Sequence, residues 1–209
     1  MSPKVKTITN FVDTDFFSPN LSKYKKDDII KILVVGRINE QKNIPTFLKA
    51  IKLVAQRNIK FKVLWYGDYD KANGGELVYE NVLNLRHKEK VEHYIEFYPA
   101  TKQIVEKYRE CDVFCLPSLY EGFPNVLCEA MCCGKPVICS NVCDNPSIVQ
   151  HGMNGYLFNP KNSCDIADAI IKICTEDEEK LRLMGKYSRE IALKKFSSVS
   201  FISQYLELI

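Results

Sequence analysis

Short apolar runs, separated by stretches of helical periodicity, constrain the fold of this chain more than any other feature. Six such runs lie at residues 31–35, 61–66, 94–97, 113–116, 136–139 and 156–158. Between the first two runs, Phe47, Ile51 and Val54 recur at helical spacing. Continuous apolar runs are typical of strands buried on both faces of a parallel sheet. The alternation therefore predicts right-handed βαβ units, giving an α/β fold with a doubly wound sheet of about six parallel strands and C-terminal helices.

Two cations follow the first predicted strand. Arg37 comes directly after Gly36, and Lys42 stands just before the first helix, for which Asn43 is the predicted N-cap. In an open α/β sheet, the crevice beyond the carboxyl ends of the strands binds ligands. Two positive side chains there can neutralise a diphosphate and stabilise the charge that grows on it when a bond to it breaks. The alternative interpretation, two solvated surface charges, is correct for most Arg/Lys pairs.

Two carboxylates follow the fourth predicted strand. Glu121 and Gly122 lie in the turn after it, Pro124 is placed as the first helical residue, and Glu129 falls about two turns into the helix. A carboxylate repels phosphate, but it accepts hydrogen bonds from the hydroxyls of a sugar. Unpaired backbone N–H groups at the helix start can bind sugar hydroxyls and phosphate. The N–H groups expected there belong to Gly122, Phe123, Asn125, Val126 and Leu127. In the alternative interpretation, which involves no ligand, Glu121 is a charged loop residue and Glu129 belongs to a solvated helix face.

This segment resembles the donor-sugar motif of the retaining GT-B glycosyltransferases of family 4, also called group 1. The resemblance rests on Glu121 and Glu129 with seven residues between them, on the Glu-Gly-Phe-Pro segment and on Gly134-Lys-Pro-Val137. Val35-Gly-Arg37 followed by Lys42 also matches the family. The likeness covers residues 10–209 and implies the Rossmann-like C-terminal half of a GT-B fold.

The resemblance also implies roles for individual residues. Arg37, Lys42 and Glu121 would be catalytic, with the two cations on the diphosphate and Glu121 on the donor sugar. The residues implied in donor binding are Gly36, Gly122, Phe123, Pro124, Asn125, Val126, Leu127 and Glu129, the last on the ribose. The expected substrate is a nucleotide-diphosphate sugar, UDP- or GDP-linked, and neither a metal nor a cofactor is implied. The expected acceptor is a glycan or lipid-linked hydroxyl in cell-surface polysaccharide synthesis.

The domain organisation follows from the same resemblance. Residues 1–28 resemble an interdomain linker, residues 29–195 form the nucleotide-sugar-binding domain, and residues 196–209 form a helix that would cross to an N-terminal domain. That domain, which these residues do not encode, is expected in cis or in trans, so the chain alone is expected to be weak or inactive as a hexosyltransferase. The alternatives are a non-catalytic nucleotide-sugar-binding module and half of a GT-B epimerase or phosphorylase.

Three segments depart from the family pattern. Asp144-Asn-Pro-Ser147 replaces a glycine-rich turn followed by Pro-Glu, and Phe97-Tyr-Pro-Ala100 replaces a segment in which a glycine faces the nucleobase. Asp68 replaces the second glycine after the second strand. The sugar and the base of the donor therefore stay open.

Composition limits the other possibilities. A formal charge of +3 in 209 residues gives no indication of nucleic-acid binding. The nine cysteines lie mostly in apolar patterns and lack the C-x₂-C spacing of zinc sites, so they are interpreted as reduced core residues and no metal is predicted. No apolar run approaches the ~20 residues of a membrane-spanning helix. The chain is expected to be cytoplasmic, with a peripheral position at the inner membrane face as the alternative.

Overall fold

A computed structural model of the protein describes residues 8, 10–20 and 28–207. Its centre is a sheet of six parallel strands in the order β3-β2-β1-β4-β5-β6. The strands are β1 (Ile30–Val35), β2 (Phe61–Tyr66), β3 (Ile95–Tyr98), β4 (Val113–Leu116), β5 (Val137–Ser140) and β6 (Gly155–Phe158). The predicted doubly wound α/β sheet is confirmed.

Strand boundaries differ from the prediction by at most one residue. β2 and β4 have the predicted limits, whereas β3 begins at Ile95 because the N–H of Tyr94 donates to the carbonyl of Val91 in a turn. β5 begins at Val137, one residue after Pro136, which has no N–H to contribute to the ladder. The apolar runs thus located every strand.

Eight α-helices flank the sheet in the described part of the chain. They are α1 (Ile44–Ala55), α2 (Gly75–Lys88), α3 (Ile104–Glu110), α4 (Asn125–Cys132), α5 (Asn145–Ile148), α6 (Ser163–Thr175), α7 (Glu178–Phe196) and α8 (Ser198–Leu206). Short 3₁₀ helices at Glu40–Lys42 and Lys71–Asn73 precede α1 and α2. No helix in the described residues combines the length and the apolar character needed to cross a membrane.

The sheet separates two apolar clusters, and β1 contributes to both. Ile32 and Val34 belong to the cluster shared with α1 and α6, while Leu33 belongs to the cluster shared with α4 and the end of α7. All three side chains are fully buried, as expected for a strand covered on both faces. The chain leaves β1 towards β2 and β3, then returns to place β4 on the other side of β1. This reversal creates a crevice between the carboxyl ends of β1 and β4.

The described part of the N-terminal arm, residues 10–20, contains neither helix nor strand but packs on the domain. Val12 is buried, and its N–H donates to the carbonyl of Phe196 at 2.8 Å. Arg189 Nη1 donates to the carbonyls of Thr14 and Phe17 at 3.0 and 2.9 Å. The rest of the predicted arm lies outside the described residues, apart from residues 8 and 28, and whether 1–28 is an interdomain linker stays a prediction.

All nine cysteines are unpaired thiols, and six of them are buried. Those six are Cys111, Cys115, Cys128, Cys132, Cys133 and Cys139. Burial raises the pKa of the Cys111 thiol to about 12 and that of Cys132 to about 11, so both remain protonated at neutral pH. The interpretation of the cysteines in apolar patterns as core residues is confirmed.

Candidate functional site

The predicted cations and carboxylates meet in the crevice between β1 and β4. Arg37 and Lys42 follow β1, and Glu121 and Glu129 follow β4. Residues 32 and 33 of β1 pair with residues 113 and 114 of β4, so the turns after these two strands lie side by side. Gly36 lines a cavity with Arg37 and Glu129, and the Lys42 side chain packs against Gly36.

Lys42 and Glu121 form an ion pair in a nearly buried position. Lys42 Nζ lies 2.6 Å from Glu121 Oε1, and the two side chains are only 11% and 9% exposed. The aliphatic stem of Lys42 crosses Gly36 so closely that a Cβ there would lie 2.7 Å from Lys42 Cε. Sequence reasoning assigned the two residues to neighbouring parts of one ligand but missed their direct contact, which joins positions 79 residues apart.

Gln41 and Cys143 hold the Glu121 turn from two directions. The carbonyl of Gln41 accepts from the N–H of Leu119 at 2.8 Å, and its Nε2 donates to the carbonyl of Tyr120 at 2.9 Å. The same Nε2 lies 3.5 Å from Glu121 Oε2. On the other side, the N–H of Glu121 donates to Cys143 Sγ at 3.4 Å. Sequence reasoning missed both residues, because neither type carries a recognisable signal of its own at these positions.

Asn43 occupies the N-cap position of α1, but its side chain does not cap the helix. Its backbone is left-handed, with φ at 57°, because Asn43 also ends the preceding 3₁₀ helix. Its Nδ2 donates to the carbonyls of Pro117 and Pro160 at 3.1 and 2.7 Å. The predicted N-cap position is therefore confirmed, but the Asn43 side chain does not cap the helix and instead joins the loops that follow β4 and β6.

A cavity of about 330 Å³ opens at the carboxyl ends of β1 and β2 and extends to the loop after β3. Its lining consists of Val35, Gly36, Arg37, Tyr66, Gly67, Asp68, Ala100, Thr101, Ile104 and Glu129. Arg37 is exposed at this cavity and forms no ion pair with any described residue. A cation at the mouth and a carboxylate in the wall suit a ligand that carries both an anionic group and hydroxyls.

Glu129 is a partly buried carboxyl group that has no cationic partner among the described residues. Burial raises the pKa of Glu129, and a hydrogen bond from Tyr108 Oη to its Oε2, at 2.8 Å, opposes that shift. Tyr108 is fully buried, and its pKa is raised well above the usual value by burial and by the nearby carboxylate. Tyr108 therefore fixes one oxygen of Glu129 and leaves the group able to accept further hydrogen bonds.

The start of α4 differs from the expected arrangement. Pro124 is the N-cap residue and not the first helical residue, which is Asn125. The N–H of Asn125 donates to the carbonyl of Phe123, and that of Leu127 to the carbonyl of Pro124, both at 3.0 Å. These two N–H groups are engaged because the chain tightens as it enters the helix. Of the five expected N–H groups, only those of Gly122, Phe123 and Val126 have no acceptor in the described part of the chain.

The Phe123 side chain lies away from the Glu129 cavity. It packs edge to face against Phe196, with ring centroids 5.7 Å apart, and lines a second cavity of about 480 Å³. Lys194, Lys195 and Ser147 also line this second cavity. The structure therefore brings Gly36, Arg37, Lys42, Glu121 and Glu129 together and places the Phe123 ring outside that group.

Residues 15–191 match the sequence profile described as glycosyl transferases group 1. This chain belongs to that family. The predicted family is thus confirmed, and Arg37, Lys42, Glu121 and Glu129 all lie inside the matched segment.

Two curated relatives and one solved structure illustrate the similarity. The chain is 31% identical over 208 residues to N-acetyl-alpha-D-glucosaminyl L-malate synthase of Bacillus anthracis, covering 96% of this chain and 52% of the relative. It is 27% identical over 217 residues to UDP-Gal:alpha-D-GlcNAc-diphosphoundecaprenol alpha-1,3-galactosyltransferase of Escherichia coli, covering 98% and 54%. Sucrose-phosphate synthase from Thermosynechococcus elongatus superposes with a TM-score of 0.83 at 25% identity, covering 96% and 51%. The chain spans about half the length of the curated relatives it matches.

Proposed function

We propose that this chain is the donor-binding, C-terminal half of a retaining GT-B glycosyltransferase that transfers a sugar from a nucleotide diphosphate to an acceptor hydroxyl. The observation that carries the proposal is that Arg37 and Glu129 line one cavity with Gly36, while Lys42 packs against Gly36 and pairs with Glu121 at the same edge of the sheet. The Escherichia coli relative, whose name describes a galactosyltransferase that uses UDP-Gal, supports a UDP-linked donor. A GDP-linked donor is the other candidate.

Each part of such a donor has a matching group in the crevice. The cavity at the ends of β1 and β2 would take the nucleoside, with Glu129 accepting hydrogen bonds from the ribose hydroxyls. Arg37 and Lys42 would bind the diphosphate, and Glu121, whose carboxylate contacts Lys42, would accept hydrogen bonds from the sugar. The ion pair supports this assignment of sugar and diphosphate to neighbouring positions, because Glu121, assigned to the sugar, contacts Lys42, assigned to the diphosphate.

The same groups would lower the barrier to transfer. Negative charge grows on the diphosphate as the glycosidic bond breaks, and preorganised cations stabilise that charge. In the mechanism that the resemblance implies, the acceptor hydroxyl attacks from the side of the leaving group, and a phosphate oxygen receives its proton. Arg37, Lys42 and the N-terminus of α4 would supply the positive potential without a metal ion.

The acceptor would be bound with the help of an N-terminal GT-B domain in cis or in trans. α8 offers a surface for that domain, because Val199, Ile202, Tyr205 and Leu206 are exposed at helical spacing. We place the reaction in the cytoplasm and assign it to cell-surface polysaccharide synthesis, with a glycan or a lipid-linked sugar as acceptor. Transfer by the chain alone is expected to be weak.

Isothermal titration calorimetry against UDP-, GDP- and ADP-sugars tests the proposal directly. We expect one donor to bind the chain, and Arg37→Ala to weaken that binding by about tenfold, the amount that one charge-assisted contact contributes. Arg37 is exposed and unpaired among the described residues, so its removal should leave folding intact. The matched control is Lys49→Ala, which removes an exposed cation from α1. The absence of binding to any of these donors would refute the proposed function.

A further inference from the structure

Gln41 is the residue in the 3₁₀ helix before α1 that contacts the Glu121 turn through both its backbone and its side chain. Its carbonyl accepts from Leu119, and its side-chain amide donates to the carbonyl of Tyr120. One planar amide nitrogen carries two N–H groups in a fixed geometry. One of them can donate to the carbonyl of Tyr120 at 2.9 Å, and Glu121 Oε2, which lies 3.5 Å from the same nitrogen, is within reach of the other.

Lys42 alone cannot give the Glu121 carboxylate a fixed direction. Its ammonium group is a point charge on a flexible stem, so it attracts the carboxylate without selecting its rotation. In the proposed function the same ammonium group also serves the diphosphate. Gln41 contacts the opposite carboxylate oxygen, Oε2 against the Oε1 that Lys42 contacts. Gln41 and Lys42 thus contact different oxygen atoms of the Glu121 carboxylate.

We propose that Gln41 is a positioning residue that orients the Glu121 carboxylate towards the donor sugar, while Lys42 serves the diphosphate. This inference rests on the proposed function and extends it to a further residue. Gln41 contributes to recognition of the sugar but not to recognition of the nucleoside diphosphate. The contact to Oε2 is long, so the contribution of Gln41 lies in direction more than in strength.

The variant Gln41→Met removes the amide while keeping the length of the side chain and the backbone bond from Leu119. Gln41→Glu keeps the shape but places a second carboxylate beside Glu121. The matched control is Glu40→Gln, a change at the exposed neighbouring position of the same 3₁₀ helix. Circular dichroism and thermal unfolding establish that each variant is folded before its binding is measured.

The deciding measurement compares two dissociation constants for each variant by calorimetry. One is for the nucleotide sugar that binds the unmodified chain most tightly, and the other is for the matching nucleoside diphosphate. We expect Gln41→Met to weaken binding of the nucleotide sugar by about tenfold, because a Glu121 carboxylate that is no longer oriented loses about one hydrogen bond from a sugar hydroxyl to a charged group. The dissociation constant of the nucleoside diphosphate should not change. Gln41→Glu should weaken it further, and Glu40→Gln should change neither constant.

The outcomes separate this inference from the proposed function. If the unmodified chain binds nucleotide sugars and Gln41→Met binds them equally well, the positioning role is refuted and the proposed function stands. If both constants weaken together, Gln41 merely supports the turn that carries Lys42, which also refutes the inference. If the unmodified chain binds no nucleotide sugar, the proposed function fails and this inference fails with it.

Discussion

Replacing Gly36 by alanine should displace Lys42 without disturbing the backbone. A Cβ at this position would lie 2.7 Å from Lys42 Cε and 3.1 Å from Cδ, whereas ordinary contact begins at 3.4 Å. The Cε must therefore withdraw by about 0.7 Å, and the Nζ bonded to it moves as well. Gly36 does not have a positive φ, so an alanine meets no backbone strain there. The change acts specifically on the position of the ammonium group.

The expected loss of stability is moderate. At an effective dielectric constant of about 20, lengthening the Lys42–Glu121 contact from 2.6 Å to about 3.3 Å costs about 1 kcal/mol. Crowding against a flexible side chain adds about 1 kcal/mol, the lower end of the usual range for overpacking. For a chain of this size, a total of about 2 kcal/mol corresponds to a Tm lowered by about 4–8 °C. Binding of the donor should weaken by about tenfold, because Lys42 no longer meets the diphosphate in the favoured geometry.

Thermal unfolding and calorimetry on the same preparations test this expectation, and two other glycines provide the comparison. A Cβ at Gly122 would have no heavy atom within 4 Å, so Gly122→Ala should leave the Tm unchanged. A Cβ at Gly67 would lie 2.0 Å from the carbonyl oxygen of Gly36, so Gly67→Ala should destabilise far more than Gly36→Ala. Our reasoning would be refuted if Gly36→Ala bound the donor normally, or if it lost as much stability as Gly67→Ala.

Two further predictions concern Glu129 and the cysteines. Because burial raises the pKa of Glu129 above 4.5, the folded state binds more protons than the unfolded state, and this group lowers stability as the pH rises from about 4.5 towards 7. Glu129→Gln should therefore reduce the fall in Tm across that range, and an unchanged pH profile of unfolding would contradict the assignment. In thiol labelling followed by intact mass, the exposed Cys143 and Cys164 should react rapidly, Cys174 slowly, and the six buried thiols only after unfolding. Rapid labelling of more than three thiols in the native protein would contradict the burial described above.

Local patterns were sufficient to predict the fold. The apolar run 113–116 matches β4 to the residue, and its neighbours are shifted by one residue at most. These patterns succeed because burial on both faces of a parallel sheet requires consecutive apolar side chains, a property that each segment carries by itself. The position of charged residues directly after strands likewise predicted which side chains would face the crevice.

The detailed arrangement of the site depended on contacts that no local pattern encodes. The Lys42–Glu121 ion pair and the contacts of Gln41 with the same turn exist because β4 returns to lie beside β1, at a sequence distance of about 80 residues. The sequence placed Asn43 correctly at the N-cap of α1, but it did not show that the side-chain amide donates to the carbonyls of Pro117 and Pro160. The sequence by itself determined the elements, the family and the set of charged residues. The order of the strands decided which of those residues touch, because hydrogen bonds and ion pairs depend on distances of a few ångströms that only tertiary packing sets.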